Sequence, residues 1–330
     1  MKVAVIGAGF SGLSVAWHLL KKVSVTLFDK EGIGAGASGI AAGLLHPFAG
    51  KWSKLNWNGF LAMQETCALI DEAQKEEKLP LADKRGILRP VVNEEQKEAF
   101  FASFQKYPKE LTWQENRELS PALFISCGMV VHSQRYLQAL FKSCQNMGLE
   151  YEQKEISSAQ ELSHFDKIVI CTGSGIHSIQ EAKSLVVPIM KGQILELQLP
   201  EDPSLLDIPL VSQGYILKSE KANTCVAGST YEKSYRDLFP DVSFAEPYIR
   251  KKIKEFSPLL AELPLISCKA QGRVSSHNHL PFIKKLSQKT YCLSGMGSKG
   301  LLYHAWMGKL LAHAVLEERE DHIPKEVLFS

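Results

Sequence analysis

Residues 3–6 are an unbroken apolar run that stops at a glycine. Apolar positions resume at helical spacing over Leu13, Ala16, Trp17 and Leu20, then alternate at Val23, Val25 and Leu27. A short continuous run reads as a buried strand, the spacing of three and four as a helix, and the alternation as a second strand. The N-terminal segment therefore predicts a β–α–β unit. Between its first strand and its helix, Gly7, Gly9 and Gly12 stand at G-x-G-x-x-G spacing, with Phe10 and Ser11 inside the motif. The first glycine permits the tight turn, the second the approach of a pyrophosphate, and the third the packing of helix on strand. The opening N–H groups of that helix favour a phosphate. Asp29-Lys30 ends the second strand, and an acid about 20 residues beyond the glycines is where ribose hydroxyls are held.

Further along, Phe60, Met63, Cys67, Ile70 and Ala73 predict one apolar face of a helix over residues 58–77. Tyr136, Leu137, Leu140, Phe141 and Cys144 do the same for residues 133–147, after residues 128–131 begin the return from the insertion. Residues 79–126 are mixed, with a strand at 87–92, a helix at 94–106 and a turn at Ser120-Pro121, and they suggest the start of an inserted domain. Residues 166–170 are a second buried strand, and it runs into Cys171-Thr172-Gly173-Ser174-Gly175. A small-residue turn at the carboxyl end of a buried strand is where a doubly wound sheet places a ligand. Alternating segments at 193–199, 214–218 and 224–228 arrive in series and predict an antiparallel sheet. Strands at 269–274 and 291–294 then lead through a glycine-rich turn into a last helix over 301–317.

Composition changes this picture in three places. Residues 31–50 are rich in glycine and alanine with little charge, which suits backbone lying against an extended ligand better than a solvated loop. Lys plus Arg number 38 and Asp plus Glu 36, so the net charge of +2 gives no strong pull toward nucleic acid or membrane. The seven cysteines are odd in number, widely spaced and without a C-x-x-C, which predicts reduced thiols and a cytoplasmic protein. No apolar run approaches the roughly 18 residues needed to span a bilayer.

Several separated stretches, in one order along the chain, resemble the FAD-dependent oxidoreductases of the D-amino-acid oxidase superfamily. This group includes glycine oxidase, sarcosine oxidase and the oxidase half of the bifunctional enzyme that finishes the methylaminomethyl side chain of tRNA wobble uridine. The stretches are 7–29, 34–44, 166–173, Lys191-Gly192-Gln193, Gly228-Ser229-Thr230 with Glu232, Gly272-Arg273 with Leu280-Pro281, and 295–301. The resemblance implies an α/β fold with a discontinuous Rossmann-like FAD-binding domain, residues 1–79, 127–186 and 266–330. A smaller α+β substrate domain with an antiparallel sheet would comprise 80–126 and 187–265. It implies that FAD lies along Ala37, Ser38, Ala42, Gly43 and Leu44, beside Thr172-Gly173, and at the turn Gly297-Ser298-Lys299-Gly300-Leu301. Arg273 would hold a substrate carboxylate and Tyr215 would belong to the substrate-site strand. Asp29, Lys191 and Lys299 depart from the family's more frequent Glu, Arg and Arg.

The function these features imply is oxidation of the C–N bond of a small amino acid or N-substituted glycine, with oxygen or another acceptor reoxidising the flavin. A carboxymethylaminomethyl group on a tRNA wobble base is a second candidate substrate, less favoured by the near-zero charge. A flavin-binding protein without turnover is a third reading. No metal site is expected, because His277, His279 and His304 lack acidic or thiol ligands at matching short spacing. His46 could approach the flavin or simply pack locally.

Overall fold

The N-terminal apolar run forms strand β1 (Lys2–Ile6), buried at every position after Lys2. The computed structural model describes residues 1–115, 121–200 and 206–329. Helix α1 (Phe10–Leu20) carries the chain from β1 to the parallel neighbour β2 (Ser24–Asp29), and strand Lys167–Ile170 pairs in parallel on the other side of β1. Glu150–Gln153 extends the sheet beyond β2, and Thr290–Ser294 extends it beyond Lys167–Ile170, both in parallel. Phe282–Lys285 closes that edge antiparallel. The chain thus builds outwards from β1 first to one side and then to the other. The switch point lies between β1 and Lys167–Ile170.

Both faces of this sheet are covered, which is why its strands read as continuous apolar runs. Val3 and Val5 belong to a core with α1, Gly59–Gln74, Ser133–Asn146 and the last helix, Gly300–Glu317. Ala4 and Ile6 pack on the other side with Ile156, Leu162, Ile176 and Ile179 from the connecting segments. The last helix lies close on α1 because Gly308 has no side chain, and a Cβ there would sit 2.2 Å from Ser14 Oγ. His304, fully buried in the same helix, has Nδ1 2.9 Å from the Leu301 carbonyl. A carbonyl only accepts, so Nδ1 carries the proton and Nε2 accepts from the Tyr136 hydroxyl at 2.8 Å. The histidine is thereby used up in packing. His277 and His279 are exposed.

The second sheet has eight strands in the order Leu265–Val274, Ile189–Gln198, Thr224–Gly228, Tyr215–Lys218, Leu210–Val211, Ile87–Pro90, Ala122–Ile125 and Leu111–Gln114. All its pairs are antiparallel except that of Leu210 with Leu88. Residues 80–126 and 187–265 thus meet in one sheet. The expected boundary at 265/266 falls at the head of strand Leu265–Val274, and the whole of that strand pairs here. A three-stranded patch of Leu44–Leu45, Met129–Val131 and Ala82–Asp83 joins the two units.

One element was not anticipated and one expectation is corrected. Val242–Lys254 is a helix, and it lays Ala245, Ile249 and Ile253 on the sheet. Those positions recur every four residues, although Pro247 stands among them. On Gly59–Gln74 the buried face is Ala62, Met63, Thr66, Leu69, Ile70 and Ala73, whereas Phe60 is exposed. Phe60 instead meets the rings of Phe48 and Tyr107, each centroid 5.8 Å away, which local periodicity does not reveal. The expected turn at Ser120-Pro121 lies partly outside the described residues.

Burial pushes His304 down to about 4. Its folded pKa lies below the ordinary histidine value, so the unfolded chain takes up a proton that the folded chain refuses. The stabilisation is complete above about pH 6.5 and is lost as pH falls toward 4. A double variant, His304→Leu with Tyr136→Phe, removes both polar partners together. Its thermal midpoint should fall less than the parent's between pH 7 and 5, as measured by calorimetry.

Candidate active site

A cavity of about 1170 Å³ opens at the carboxyl ends of β1 and Lys167–Ile170 and reaches the face of the antiparallel sheet. Typical small-molecule pockets are roughly 300–1,000 Å³, so there is room for a dinucleotide with a small ligand beside it. Its floor is the glycine turn. Gly7 has φ of +107° and a Cβ on it would lie 2.4 Å from the Cys171 carbonyl oxygen. A Cβ on Gly12 would lie 1.8 Å from the Gly7 oxygen, so no side chain is tolerated where α1 leaves the turn. Ser38 Oγ reaches back to accept from the Phe10 amide at 3.1 Å, tying the small-residue loop to the start of α1.

On the antiparallel-sheet side, Arg273 and Tyr215 come from strands separated by two others, Ile189–Gln198 and Thr224–Gly228. Each crosses a glycine on the intervening strand. A Cβ on Gly192 would lie 2.0 Å from Arg273 Nη2, and a Cβ on Gly228 would lie 2.6 Å from Tyr215 Oη. The two glycines are therefore the space in which the arginine and the tyrosine converge. The arginines in ion pairs are Arg85, Arg135, Arg250 and Arg319, and Arg273 has no such partner among the described residues. Burial pushes the Tyr215 phenol up, with Arg273 and a hydrogen bond to Ser229 offsetting part of the effect. Tyr215 is accordingly a neutral hydroxyl at ordinary pH.

The strand carrying Gly192 is held by a buried polar network. Gln193 donates to Glu232 Oε1 at 2.9 Å, and Thr230 donates to the same oxygen at 2.5 Å. The Asp241 amide donates to Gln193 Oε1 at 2.6 Å. Lys191, buried beside Gln193, exchanges backbone hydrogen bonds with Glu232. This network fixes the chain after Gly228 against the sheet on which Arg273 lies.

The sequence profile of the family described as FAD dependent oxidoreductase (DAO) matches residues 2–314. The chain belongs to this family. It is 25% identical to the tRNA 5-methylaminomethyl-2-thiouridine biosynthesis bifunctional protein MnmC of Acinetobacter baylyi over 96% of this chain and 53% of that protein. A second such protein, from Idiomarina loihiensis, is 20% identical over 94% of this chain and 55% of its own length. The chain thus spans about half the length of the curated relatives it matches. Among solved structures, glycine oxidase from Geobacillus kaustophilus superposes with a TM-score of 0.84 at 18% identity, covering 99% of this chain and 98% of that one. L-proline dehydrogenase from P. horikoshii gives 0.81 at 15% identity, over 98% and 95%.

As a DAO-family oxidoreductase the protein uses FAD, and the cavity carries independent signs of such a guest. Thr172 Oγ1, Ser294 Oγ and His46 Nδ1 are buried, have no protein partner, and belong to residues that line it. Buried polar atoms are seldom left unpaired, so three in one cavity suit a polar ligand. Of the residues expected to hold the cofactor, Gly7, Gly9, Phe10, Ser11, Asp29 and Lys30 line the cavity on the β2 side, with Ala37, Ser38, Ala42, Gly43 and Leu44 along the loop. Thr172 and Gly173 follow Lys167–Ile170, while Gly297, Ser298, Gly300 and Leu301 bring in the start of the last helix, whose first N–H groups have no intrahelical partner.

Two expected residues lie outside the lining. Gly12 serves the packing of α1, and Lys299 turns back so that its ammonium sits 6.0 Å from the Tyr303 ring centroid. Asp29 does line the cavity, but its Oδ2 accepts from the Ala8 amide at 2.7 Å and its Oδ1 from the Glu31 and Gly32 amides at 2.9 Å. The acid thus also closes the glycine turn onto the end of β2.

Arg89 was not singled out by the sequence. It is 1% exposed on Ile87–Pro90 and donates to the carbonyls of Phe48 at 3.1 Å and Gly50 at 2.8 Å. Burial pushes it down to about 10, still charged at neutral pH. Burial and the Arg89 charge push the adjoining His46 down to about 3, so His46 is a neutral imidazole on the cavity wall. The available signal was that Arg89 shares the phase of Ile87, on the buried side of its strand.

Gly9→Val tests the turn. The added Cβ would lie 2.8 Å from Ser38 Oγ and project into the lining. The variant should show the parent's far-ultraviolet circular dichroism but purify without the flavin absorbance. A variant as yellow as the parent would remove Gly9 from the cofactor site.

Proposed function

We propose that the chain oxidises the C–N bond of a small amino acid or an N-substituted glycine. The observation that carries this reading is the convergence of Arg273 and Tyr215 over Gly192 and Gly228, with Arg273 unpaired among the described residues. A guanidinium is a planar fork that grips a carboxylate through two parallel hydrogen bonds, and the grip fixes the bond next to it. The Tyr215 hydroxyl, kept neutral by burial, donates a further bond from the opposite side of the same opening. The flavin, when bound, supplies the acceptor for the hydride that leaves the α-carbon. The start of Gly300–Glu317 presents the positive end of a helix dipole to the cavity, where negative charge is stabilised. Hydrolysis of the product imine requires only water, and oxygen or another acceptor completes the cycle. The glycine oxidase and L-proline dehydrogenase folds support the assignment to this class. All seven cysteines are unpaired, which supports a reducing, cytoplasmic setting.

The curated relatives favour a second reading, in which the N-substituted glycine is part of a tRNA wobble base. The grip on the carboxylate would be unchanged. Turnover on tRNA should fall steeply with added salt as phosphate contacts are lost, whereas turnover of a free amino acid should depend on salt only weakly. Rates for glycine, sarcosine and modified tRNA at low and high salt separate the two.

Removing Arg273 would leave a substrate carboxylate without its partner, a loss of about 2–5 kcal/mol for a desolvated charge pair. Arg273→Ala should keep its flavin spectrum but reduce the flavin more slowly by on the order of a hundredfold or more. Arg273→Lys should recover part of the rate, since the charge returns without the fork. Stopped-flow reduction at matched FAD content decides it, and parental speed in Arg273→Ala would mean that the carboxylate is held elsewhere.

A further inference from the structure

The carboxylates on the cavity wall are confined to one side. Asp29, Glu31 and Glu155 lie on the β2 side, mixed with Lys30 and Lys154, whereas the charged residues lining the antiparallel-sheet side are all cations, Arg273, Lys252, Arg89 and Lys51. Arg89 is committed to two backbone carbonyls, and Lys51 is exposed, with its ammonium 4.2 Å from the Trp52 ring centroid. Lys252 is different. It stands near the end of helix Val242–Lys254, half-buried, and the ion pairs made by that helix among the described residues are Arg250–Glu246 and Lys254–Glu262.

The fold aims this lysine at the opening. A Cβ on Gly214 would lie 3.2 Å from the Lys252 Cβ, so the glycine lets the helix end approach the strand that carries Tyr215. From there Nζ lies 3.2 Å from the Ser229 carbonyl oxygen and 4.5 Å from the Tyr248 ring centroid. The Ser229 side chain also acts on the Tyr215 phenol, countering part of the upward push of burial. One residue thus adjoins both the phenol and the ammonium. A carbonyl and a ring face orient the ammonium without neutralising it, and Arg273 adds a second positive charge to the same opening. A ligand with one carboxylate balances one of these charges. Like charges facing one another without compensation are unfavourable, and a wall of one sign concentrates ligands of the other.

We infer that the substrate carries two anionic groups: the carboxylate held by Arg273, and a second carboxylate or phosphate, across the amine nitrogen, met by Lys252. This inference rests on the reading of Arg273 as the carboxylate anchor of a C–N oxidation. Lys252 touches only the non-reacting end and sets specificity.

Thioethers in place of the amine give ligands that cannot be oxidised by this route, so binding can be read apart from turnover. Titration calorimetry of the FAD-loaded protein would compare methylthioacetate, thiodiacetate and (phosphonomethylthio)acetate. One of the dianions should bind at least about tenfold more tightly than the monoanion, about 1.4 kcal/mol, and the tighter of the two identifies the second group. Lys252→Met should shrink that ratio to within about threefold and Lys252→Arg should preserve it, at low salt where the half-exposed charge is least screened. Equal binding of all three, a preference that survives Lys252→Met, or no binding of any to the parent overturns the inference. If the Lys252-dependent preference holds while no amine bleaches the flavin, the anion site stands and the oxidation reading falls.

Discussion

The architecture depends on the contact between the Gly7 peptide and the end of strand Lys167–Ile170. The Gly7 amide donates to Phe28 in β2 at 2.7 Å, the Cys171 amide donates to Ile6 at 2.8 Å, and the Cys171 carbonyl occupies the space where a Gly7 side chain would be. Three strands from distant parts of the chain therefore end level with one another, around a turn that admits no side chain. Because the chain winds outwards from β1 in both directions, this is also where the two crossovers part and leave the opening. The cavity is a consequence of the strand order, and its polar floor is a consequence of the backbone groups brought there.

The second sheet brings Arg273 and Tyr215 together by a similar economy of side chains. Gly192 and Gly228 lie on the two central strands between Arg273 and Tyr215, and their missing Cβ atoms let long side chains from the outer strands reach inwards over the backbone. Below them the network of Gln193, Thr230 and Glu232 holds the strands in register.

Electrostatics distinguishes the two sides of the cavity. The carboxylates gather at the end of β2, where Asp29 closes the glycine turn and Lys30 and Lys154 lie beside them, and the antiparallel-sheet side carries cations alone. His46 and His304 add no charge at neutral pH, since burial pushes them down to about 3 and about 4. The positive character of the antiparallel-sheet side therefore comes from arginine and lysine, and it persists across the pH range in which histidines ordinarily titrate.

The sequence by itself determined the elements whose signals are local. The βαβ unit with its glycine spacing, the helix Glu94–Lys106, the strand Thr224–Gly228 and the last helix are all legible because burial imposes a period on consecutive residues. Family resemblance then put Arg273 and Tyr215 in one site, although the sequence offered no physical reason for the glycines quoted with them. Only the tertiary structure decided that Gly192 and Gly228 are required by side chains from other strands, and that the whole of Leu265–Val274 joins the sheet expected of residues 80–126 and 187–265. It alone drew Arg89 and Lys252 to the cavity and turned Lys299 away from its wall. Phe60 and Val242–Lys254 show the limit from the other side: a ring packed across units and a proline within a helix each contradict the local pattern. Spacing along a chain records which face of an element is buried. It does not record which distant residue covers that face, and the site is built from such pairings.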